Sequence, residues 1–184
     1  MKSADLIPRR VFFDDLATAT PRMSHDGRQL AWARQSRDVT NIMTCRTDDV
    51  DAPRQLTFDT EASLTSYLLW ARNHRHLIVF RDVHGDENYT AWSLDTESGR
   101  LCKLSVDRAA RTLFLADSAH HPDTVAICMN ARDRSRFDLY EANVATGQCR
   151  LVFENPGFSK LHVDDELTLR MAERVNADGI DASG

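Results

Sequence analysis

The 184-residue sequence lacks the features that would place it at once in several functional classes. It has no run of 18 apolar residues, which a membrane-spanning helix would need. The opening MKSADLIPRR contains no apolar core of a secretory signal peptide, so we expect a cytoplasmic protein. The cysteines form no C-x-x-C pair, which argues against a zinc ribbon or a redox motif. They are Cys45, Cys102, Cys128 and Cys149.

An excess of positive charge is also missing. The formal net charge is -5, and the 23 Lys and Arg residues are spread along the chain, whereas a nucleic-acid-binding domain usually carries a basic patch. Neither the Asp-x-Asp-x-Asp-Gly pattern of a calcium loop nor a glycine-rich phosphate loop occurs. We therefore expect a globular protein without a nucleic-acid or membrane partner and without a metal or a cofactor.

What the sequence does contain is an internal repeat of about 48 residues. Leu56, Leu104 and Leu151 each close a similar short segment, and they are 48 and 47 positions apart. A second set of apolar segments repeats at offsets of 47 and 48: Leu30-Ala31-Trp32, Leu77-Ile78-Val79 and Val125-Ala126-Ile127. Two series with the same period indicate a repeated structural unit.

Each repeat contains four short strand patterns separated by polar turns. Four antiparallel strands in a period of 40 to 50 residues are typical of a β-propeller blade. We therefore predict an all-β partial propeller of about three four-stranded antiparallel blades, the start of a fourth, and a short N-terminal helix. The predicted divisions are an N-terminal segment with the helix (1–19), blade 1 (20–58), blade 2 (59–106), blade 3 (107–155), the start of blade 4 (156–175) and a flexible tail (176–184).

The two ends of the sequence are less regular. Asp5 before Pro8 is typical of the start of a short helix. Near the other end, residues 163–175 fit an alternating strand or one face of a helix. The repeat register favours strands of a fourth blade, and both alternatives stay open.

The segment Pro21-Arg22-Met23-Ser24-His25-Asp26-Gly27, with the motifs at residues 54–57, 85–89 and 130–140, gives the chain a recognisable order of turns. In this order they resemble bacterial peptidases of the prolyl oligopeptidase family, in particular their dipeptidyl-peptidase-like and acylaminoacyl-peptidase-like members. The opening IPRRVFFDDLATATPRMSHDGRQLAWARQ is similar to the start of those proteins, and Arg54-Gln55-Leu56-Thr57 resembles the strand that closes their first blade. Gly85-Asp86-Glu87-Asn88 with Tyr89, and residues 130–140, resemble motifs of their second and third blades. The resemblance extends from about residue 6 to about residue 175.

The resemblance implies a propeller stacked on a C-terminal α/β-hydrolase domain, which hydrolyses peptide bonds in short peptides. In that family the hydrolase carries its nucleophile in a Gly-x-Ser-x-Gly elbow. This chain has no such motif, because Gly157-Phe158-Ser159-Lys160-Leu161 lacks the second glycine. We therefore assign no catalytic residue, expect an N-terminal fragment that is inactive alone, and expect the propeller to gate access to the hydrolase.

The expected partners are the rest of the same polypeptide, or further copies of the chain, and the peptide substrates of the parent enzyme. An incomplete ring would leave apolar blade faces open, such as those that carry Trp32 or Tyr140. The alternative function is a stand-alone propeller that acts as a protein-binding scaffold. A longer reading frame with a nucleophile elbow would favour the peptidase interpretation.

Ser24, His25 and Asp26 are the residue types of a hydrolytic triad, but they are consecutive. Neighbouring side chains in an extended strand point to opposite faces, and triads are assembled from distant residues. Asp26-Gly27 is typical of a tight hairpin, because glycine accepts a positive φ. We therefore interpret the triplet as a turn.

The other candidate sites also have simpler interpretations. His74, His76, His120 and His121 occupy predicted hairpins, where polar turn residues need no metal. Adjacent carboxylates usually form solvated surface, and they occur at Asp14-Asp15, Asp48-Asp49 and residues 164–166. The three tryptophans lie in alternating strands, which favours core packing over a ligand platform. They are Trp32, Trp70 and Trp92.

Overall fold

The computed structural model describes residues 18–36, 39–60, 63–83, 88–106, 110–175 and 181–183. All regular structure within these ranges is β-strand, which confirms the predicted fold class. The predicted N-terminal helix lies outside the described residues. The strands are β1 (Thr18–Met23), β2 (Gln29–Ser36), β3 (Val39–Arg46), β4 (Asp49–Gln55), β5 (Ser63–Trp70), β6 (His76–Val83), β7 (Thr90–Asp95), β8 (Leu101–Lys103), β9 (Thr112–Asp117), β10 (Thr124–Asp133), β11 (Arg136–Asn143), β12 (Cys149–Phe153), β13 (Lys160–Val163), β14 (Leu169–Val175) and β15 (Asp181–Ser183).

The strands form four antiparallel groups, which we call blades 1 to 4. Blade 1 contains β1–β4, blade 2 contains β5–β8 and blade 3 contains β9–β12. A single parallel pairing, Val39 with Ser63, connects blades 1 and 2. Blade 4 contains β13, β14 and β15. Consecutive strands pair within each blade, as the repeat predicts.

The structure decides between the two alternatives for residues 163–175. Leu169–Val175 forms strand β14, which pairs with β13 through Leu161 and Ala172. The expectation of a flexible tail over 176–184 is corrected for Asp181–Ser183, which form a strand against β14. These three residues extend the hydrogen-bonded ladder of blade 4.

The second strands of blades 2 and 3 are buried on both faces, because each of these two blades lies between two others. In β6, Leu77 and Val79 pack toward blade 1, whereas Ile78 and Phe80 pack toward blade 3. All four side chains are at most 4% exposed. Full burial of one such side chain contributes about 1.5–3 kcal/mol. The apolar run of this strand therefore connects two separate cores.

Three apolar clusters fill the spaces between successive blades. The first contains Trp70 between blades 1 and 2, and the third contains Leu139 and Leu161 between blades 3 and 4. Tyr140 belongs to the second cluster, between blades 2 and 3, and is 7% exposed. The expectation that Tyr140 lies on an open face was therefore wrong. In β11, Tyr140 and Ala142 point toward blade 2, whereas Leu139 points toward blade 4.

Successive strands run in opposite directions, so the connections between them lie on two opposite faces of the stacked blades. Turns between the first and second strands, and between the third and fourth, lie on one side, which we call the turn face. The links from a fourth strand to the next blade lie on the opposite side, which we call the linker face. Gly27 and Gly99 lie in turns of the turn face with φ of +72° and +74°. The value at Gly27 confirms the positive φ predicted for that hairpin, and glycine adopts this conformation at little cost.

Candidate functional site

Ser24, His25 and Asp26 lie in the turn that joins β1 to β2, as predicted. The hydroxyl of Ser24 donates to Asp26 Oδ1 at 2.6 Å and accepts from the Gln29 N–H at 3.0 Å. The Ser24 hydroxyl and the N–H of Arg28 lower the pKa of Asp26. The hydroxyl is therefore bonded directly to the carboxylate, and the imidazole does not lie between them. This geometry is that of a hydrogen-bonded turn, and it differs from that of a triad.

His25 instead joins blade 1 to the next two blades. Its Nε2 lies 3.2 Å from the carbonyl oxygen of Trp70 in blade 2 and 3.6 Å from Asp117 Oδ2 in blade 3. Asp117 also accepts a 3.0 Å hydrogen bond from Arg72 Nε. Polar groups from three consecutive blades therefore converge on one carboxylate at the turn face. We call His25, Arg72 and Asp117 the three-blade contact.

Similar polar contacts connect the other neighbouring turns. Asn73 Nδ2 donates to Asp123 Oδ1 at 2.7 Å between blades 2 and 3. Ser118 donates to the Asp165 carbonyl oxygen, and His121 Nε2 lies 2.8 Å from Glu166 Oε2, both between blades 3 and 4. An exposed pair such as His121 with Glu166 contributes at most about 1 kcal/mol. These contacts chiefly define how neighbouring turns align.

His25 and His74 form an edge contact with ring centroids 6.2 Å apart, but the described histidines do not surround a common centre. The described part of the chain contains no group of three or more His, Cys, Asp or Glu residues that could hold a metal ion. His76 is 7% exposed, and burial is the main cause of its lowered pKa. His74 has a positive φ of 59°, and its buried Nδ1 has no hydrogen-bond partner. His120 is exposed at the turn face.

The carboxylate runs form turns and ion pairs. Asp48 accepts two hydrogen bonds from the Arg46 guanidinium, at 2.8 and 2.6 Å. Asp164 accepts backbone hydrogen bonds from Glu166 and Thr168, and these bonds close the turn between β13 and β14. Asp14-Asp15 lies outside the described residues. Asp48 and Asp164 thus have structural partners.

The tryptophans differ in their surroundings. Trp70 is 3% exposed in the core between blades 1 and 2, and its Nε1 donates to the Arg22 carbonyl oxygen at 2.9 Å. The packing prediction is confirmed for this residue. Trp92 donates to Thr90 Oγ1 at 3.0 Å, and Trp32 lies opposite Met43 on the second strand of blade 1. Both are half-buried.

The four cysteines are free thiols. Burial raises the pKa of Cys128 and of Cys149 to about 11. A thiol needs its thiolate form to act as a nucleophile. Cys128 and Cys149 are therefore protonated and unreactive near neutral pH.

A cavity of about 310 Å³ lies between the first strands of blades 3 and 4. Its lining is largely apolar and includes Phe114, Phe137 and Leu161. Lys160 and His162 also line it, but both pair with Glu173, at 3.2 and 2.6 Å. The cavity therefore offers apolar volume without an unpaired charge among these groups.

The linker face carries a feature that the sequence reasoning missed. Phe58 is 76% exposed and Val106 is 52% exposed, and each follows the last strand of its blade. They are 48 positions apart, which is the repeat period. The signal in the sequence is an apolar residue two positions after each of the closing leucines Leu56 and Leu104.

The described residues include no helix that could span a bilayer.

No protein-family model matches the sequence. The sequence is 28% identical over 176 residues to dipeptidyl aminopeptidase BIII of Pseudoxanthomonas mexicana, which covers 95% of this chain and 25% of that protein. It is 27% identical to dipeptidyl peptidase family member 6 of Caenorhabditis elegans, over 95% of this chain and 24% of that protein. The chain thus spans about a quarter of the length of these relatives.

Solved structures share the fold at lower identity. Dipeptidyl peptidase 4 of Porphyromonas gingivalis superposes with a TM-score of 0.65 at 16% identity, over 90% of this chain and 30% of that chain. The β-propeller domain of the Trilobed protease of Pyrococcus furiosus gives 0.59 at 17% identity, over 90% and 51%. These structures show the fold, and the sequence similarity to the two dipeptidyl peptidases confirms the resemblance noted in the sequence. The chain is a homologue of dipeptidyl peptidases, and its fold is that of the propeller portion of prolyl oligopeptidase-family enzymes.

Proposed function

We propose that this chain is a fragment of a serine peptidase, whose propeller gates the access of short peptides to an α/β-hydrolase domain elsewhere in the polypeptide. The observation that carries the proposal is the match of 95% of this chain to about a quarter of a dipeptidyl aminopeptidase. The four stacked blades supply the propeller fold that such a role requires.

The described serines support a non-catalytic role. Ser24 is 3% exposed and bonded to Asp26. Ser159, in the motif nearest to a nucleophile elbow, donates to the Glu173 carbonyl oxygen at 3.1 Å in blade 4. Neither arrangement places an imidazole beside the hydroxyl as its general base, as in an activated Ser–His pair. The nucleophile is therefore expected in a different part of the polypeptide.

Gating requires blades that resist separation, and the contacts between blades meet this requirement. Apolar clusters hold the blade bodies together, and the three-blade contact fixes the ends of the first strands at the turn face. Asp117 is central because it meets both Arg72 and His25. Loss of its charge would leave both partners without their carboxylate and would loosen the turn face.

The test compares peptide length selectivity in the complete gene product. Asp117→Asn should raise the rate of cleavage of long peptides relative to dipeptidyl chromogenic substrates by severalfold. Asp48→Asn is the matched control, since Asp48 pairs only within its own turn, with Arg46. An unchanged length preference in an active Asp117→Asn enzyme would contradict the gating role. A gene product without peptidase activity would contradict the whole proposal.

We also propose a cytoplasmic location, which the four free thiols support, because cytosolic proteins rarely keep disulfides. Fractionation of the source cells tests this proposal.

We further propose that the chain self-associates when it is separated from the rest of its polypeptide. Val175 is 58% exposed and Met171 39% exposed in β14 of blade 4, and association would cover them. Sedimentation over a concentration series tests the second proposal, and a monomer at all concentrations would contradict it.

A further inference from the structure

The cavity between the first strands of blades 3 and 4 is large and mainly apolar, and we call it the blade 3–4 cavity. Its volume is about 310 Å³, and Leu115, Cys128, Phe137 and Leu161 line it from both blades. All four belong to the apolar cluster between these blades or pack against it. Protein interiors are packed closely and seldom leave such a space. An apolar cavity of about 150 Å³ accepts benzene, so this cavity has room for a larger apolar group.

The cavity is accessible from solvent at one side. Leu113 and Lys160 line it there, and the exposed fraction is 41% for Leu113 and 65% for the Lys160 side chain. Cys128 and Leu161, by contrast, are 7% and 5% exposed. A ligand can therefore reach the apolar interior without separation of the two blades. It would meet side chains that are already packed, which limits the entropy lost on binding.

Three of the polar side chains that line the cavity already have partners within the fold. The Asn155 side chain accepts from two backbone N–H groups, at 2.9 and 2.7 Å, and donates to two backbone carbonyl oxygens, at 3.1 and 3.0 Å. The Ser159 hydroxyl donates to the Glu173 carbonyl oxygen at 3.1 Å, and Lys160 Nζ lies 3.2 Å from the Glu173 carboxylate. An ionised ligand would lose its hydration without gaining an unpaired opposite charge, which is costly. The lining therefore favours an uncharged ligand.

The fourth polar side chain, His162, keeps one ring nitrogen for a ligand. Its Nε2 lies 2.6 Å from Glu173 Oε1. Hydrogen bonds from His162 and Lys160 lower the pKa of Glu173, so its carboxylate is ionised and can only accept. Nε2 therefore donates, and Nδ1 of the neutral ring is an acceptor. Within the described part of the chain this Nδ1 makes no hydrogen bond, so it can accept one from a ligand.

We propose that the blade 3–4 cavity binds an uncharged two-ring aromatic group with one N–H donor, which donates to Nδ1 of His162. The volume accommodates two fused rings, and the lining supplies contacts that such rings prefer, namely the ring of Phe137 and the thiol of Cys128. An indole ring has this chemistry, both as a free molecule and as the side chain of tryptophan in a peptide. The proposal goes beyond the peptidase function, because no residue of this site depends on a hydrolase domain.

The first test titrates the complete gene product with indole and with N-methylindole, which has the same rings but no N–H, and follows each ligand by saturation-transfer NMR. Indole should bind saturably with a Kd of about 1 mM or lower. In His162→Phe, indole should lose at least threefold more affinity than N-methylindole, because only indole loses a hydrogen bond. His121→Phe is the matched control, since His121 also pairs with a carboxylate, at 2.8 Å, but does not line the cavity. No saturable indole binding, or equal losses for the two ligands, would overturn the proposal.

A second measurement locates the bound ring by filling the cavity. Leu113→Trp places a larger side chain at the accessible side and should weaken indole binding at least fivefold. Leu151→Trp is its control, because Leu151 is 40% exposed in β12 of the same blade, close to the 41% of Leu113, and does not line the cavity. Both leucines are exposed, so both variants should fold, and their thermal melts check this. Equal indole binding by the two variants would overturn the proposed location.

Competition experiments distinguish the two sources of the ring. Displacement of bound indole by N-acetyl-tryptophanamide would support the site and assign it to a peptide side chain, whereas indole binding without displacement would support the site and assign it to a free molecule. Tighter binding of the anion indoleacetate than of indole would overturn the assignment of an uncharged ligand. Indole binding by the 184-residue chain but not by the complete gene product would show that another segment fills the cavity, and it would also overturn the proposal.

Discussion

Gly27 and Gly99 adopt nearly the same backbone conformation in different surroundings, so alanine at the two positions should reveal two separate costs. Their φ values are +72° and +74°. A Cβ at Gly27 would meet no atom within 4 Å, whereas a Cβ at Gly99 would lie 3.3 Å from the Leu56 carbonyl oxygen. Gly99 belongs to blade 2 and Leu56 follows the last strand of blade 1, so the second contact lies between blades.

The left-handed conformation costs an L-residue about 1–2 kcal/mol, and alanine recovers part of this by restricting the unfolded chain. We therefore expect Gly27→Ala to destabilise the chain by about 1 kcal/mol. Gly99→Ala should cost about 2 kcal/mol, because the backbone oxygen of Leu56 cannot move without shifting blade 1. Valine should cost more at both positions, since a β-branched side chain is strained at positive φ.

The assay is equilibrium unfolding in urea, followed by tryptophan fluorescence. Asparagine at each position is the control, because its side chain tolerates the left-handed region better than alanine does. If the free energy of unfolding depends on urea concentration with the same slope in all variants, the substitutions alter stability rather than the unfolded state. Wild-type stability of both alanine variants, or a larger cost at Gly27 than at Gly99, would refute the reasoning.

Three further predictions follow from the turns and the cores. The hydrogen bond from Arg75 is the main cause of the lowered pKa of Asp95. This pair therefore stabilises the fold above the usual Asp pKa near 3.8, and the stabilisation is lost as the pH falls through the lowered pKa. Arg75→Gln should reduce the loss of stability at acid pH, and an unchanged dependence of stability on acid pH would contradict this. Ser24→Ala should cost about 1 kcal/mol in urea melts, because it removes the acceptor of the partly buried Gln29 N–H; no loss would contradict the turn geometry. Cys128 and Cys149, with pKa values of about 11, should resist iodoacetamide at pH 8 until urea is added, and rapid labelling of the folded chain would contradict their burial.

The repeat made the blades predictable, because the same residue types recur wherever the same strand is needed. The segment Leu77-Ile78-Val79-Phe80 is apolar at every position, as expected for a strand covered on both faces. The hairpin at Asp26-Gly27 followed from local backbone chemistry alone. These features depend on neighbours in sequence or on the period, and both are visible in one sequence.

Contacts between blades were not predictable in the same way. His25 and Asp117 are 92 positions apart, and no periodic pattern indicates that they meet. The side of Tyr140 was assigned wrongly because alternation distinguishes two faces without saying which neighbour each one meets. Phe58 was missed because an exposed apolar residue gives no signal until its equivalent in the next repeat is compared. Such features depend on how blades stack.

The central claim is that this chain is the propeller portion of a peptidase whose nucleophile lies elsewhere. The most direct measurement treats the complete gene product with a fluorophosphonate probe and identifies the labelled serine by mass spectrometry. The account predicts one labelled serine, in a Gly-x-Ser-x-Gly elbow outside residues 1–184. A label on Ser24, on Ser159 or on any other serine of this chain, or no labelled serine at all, would contradict it.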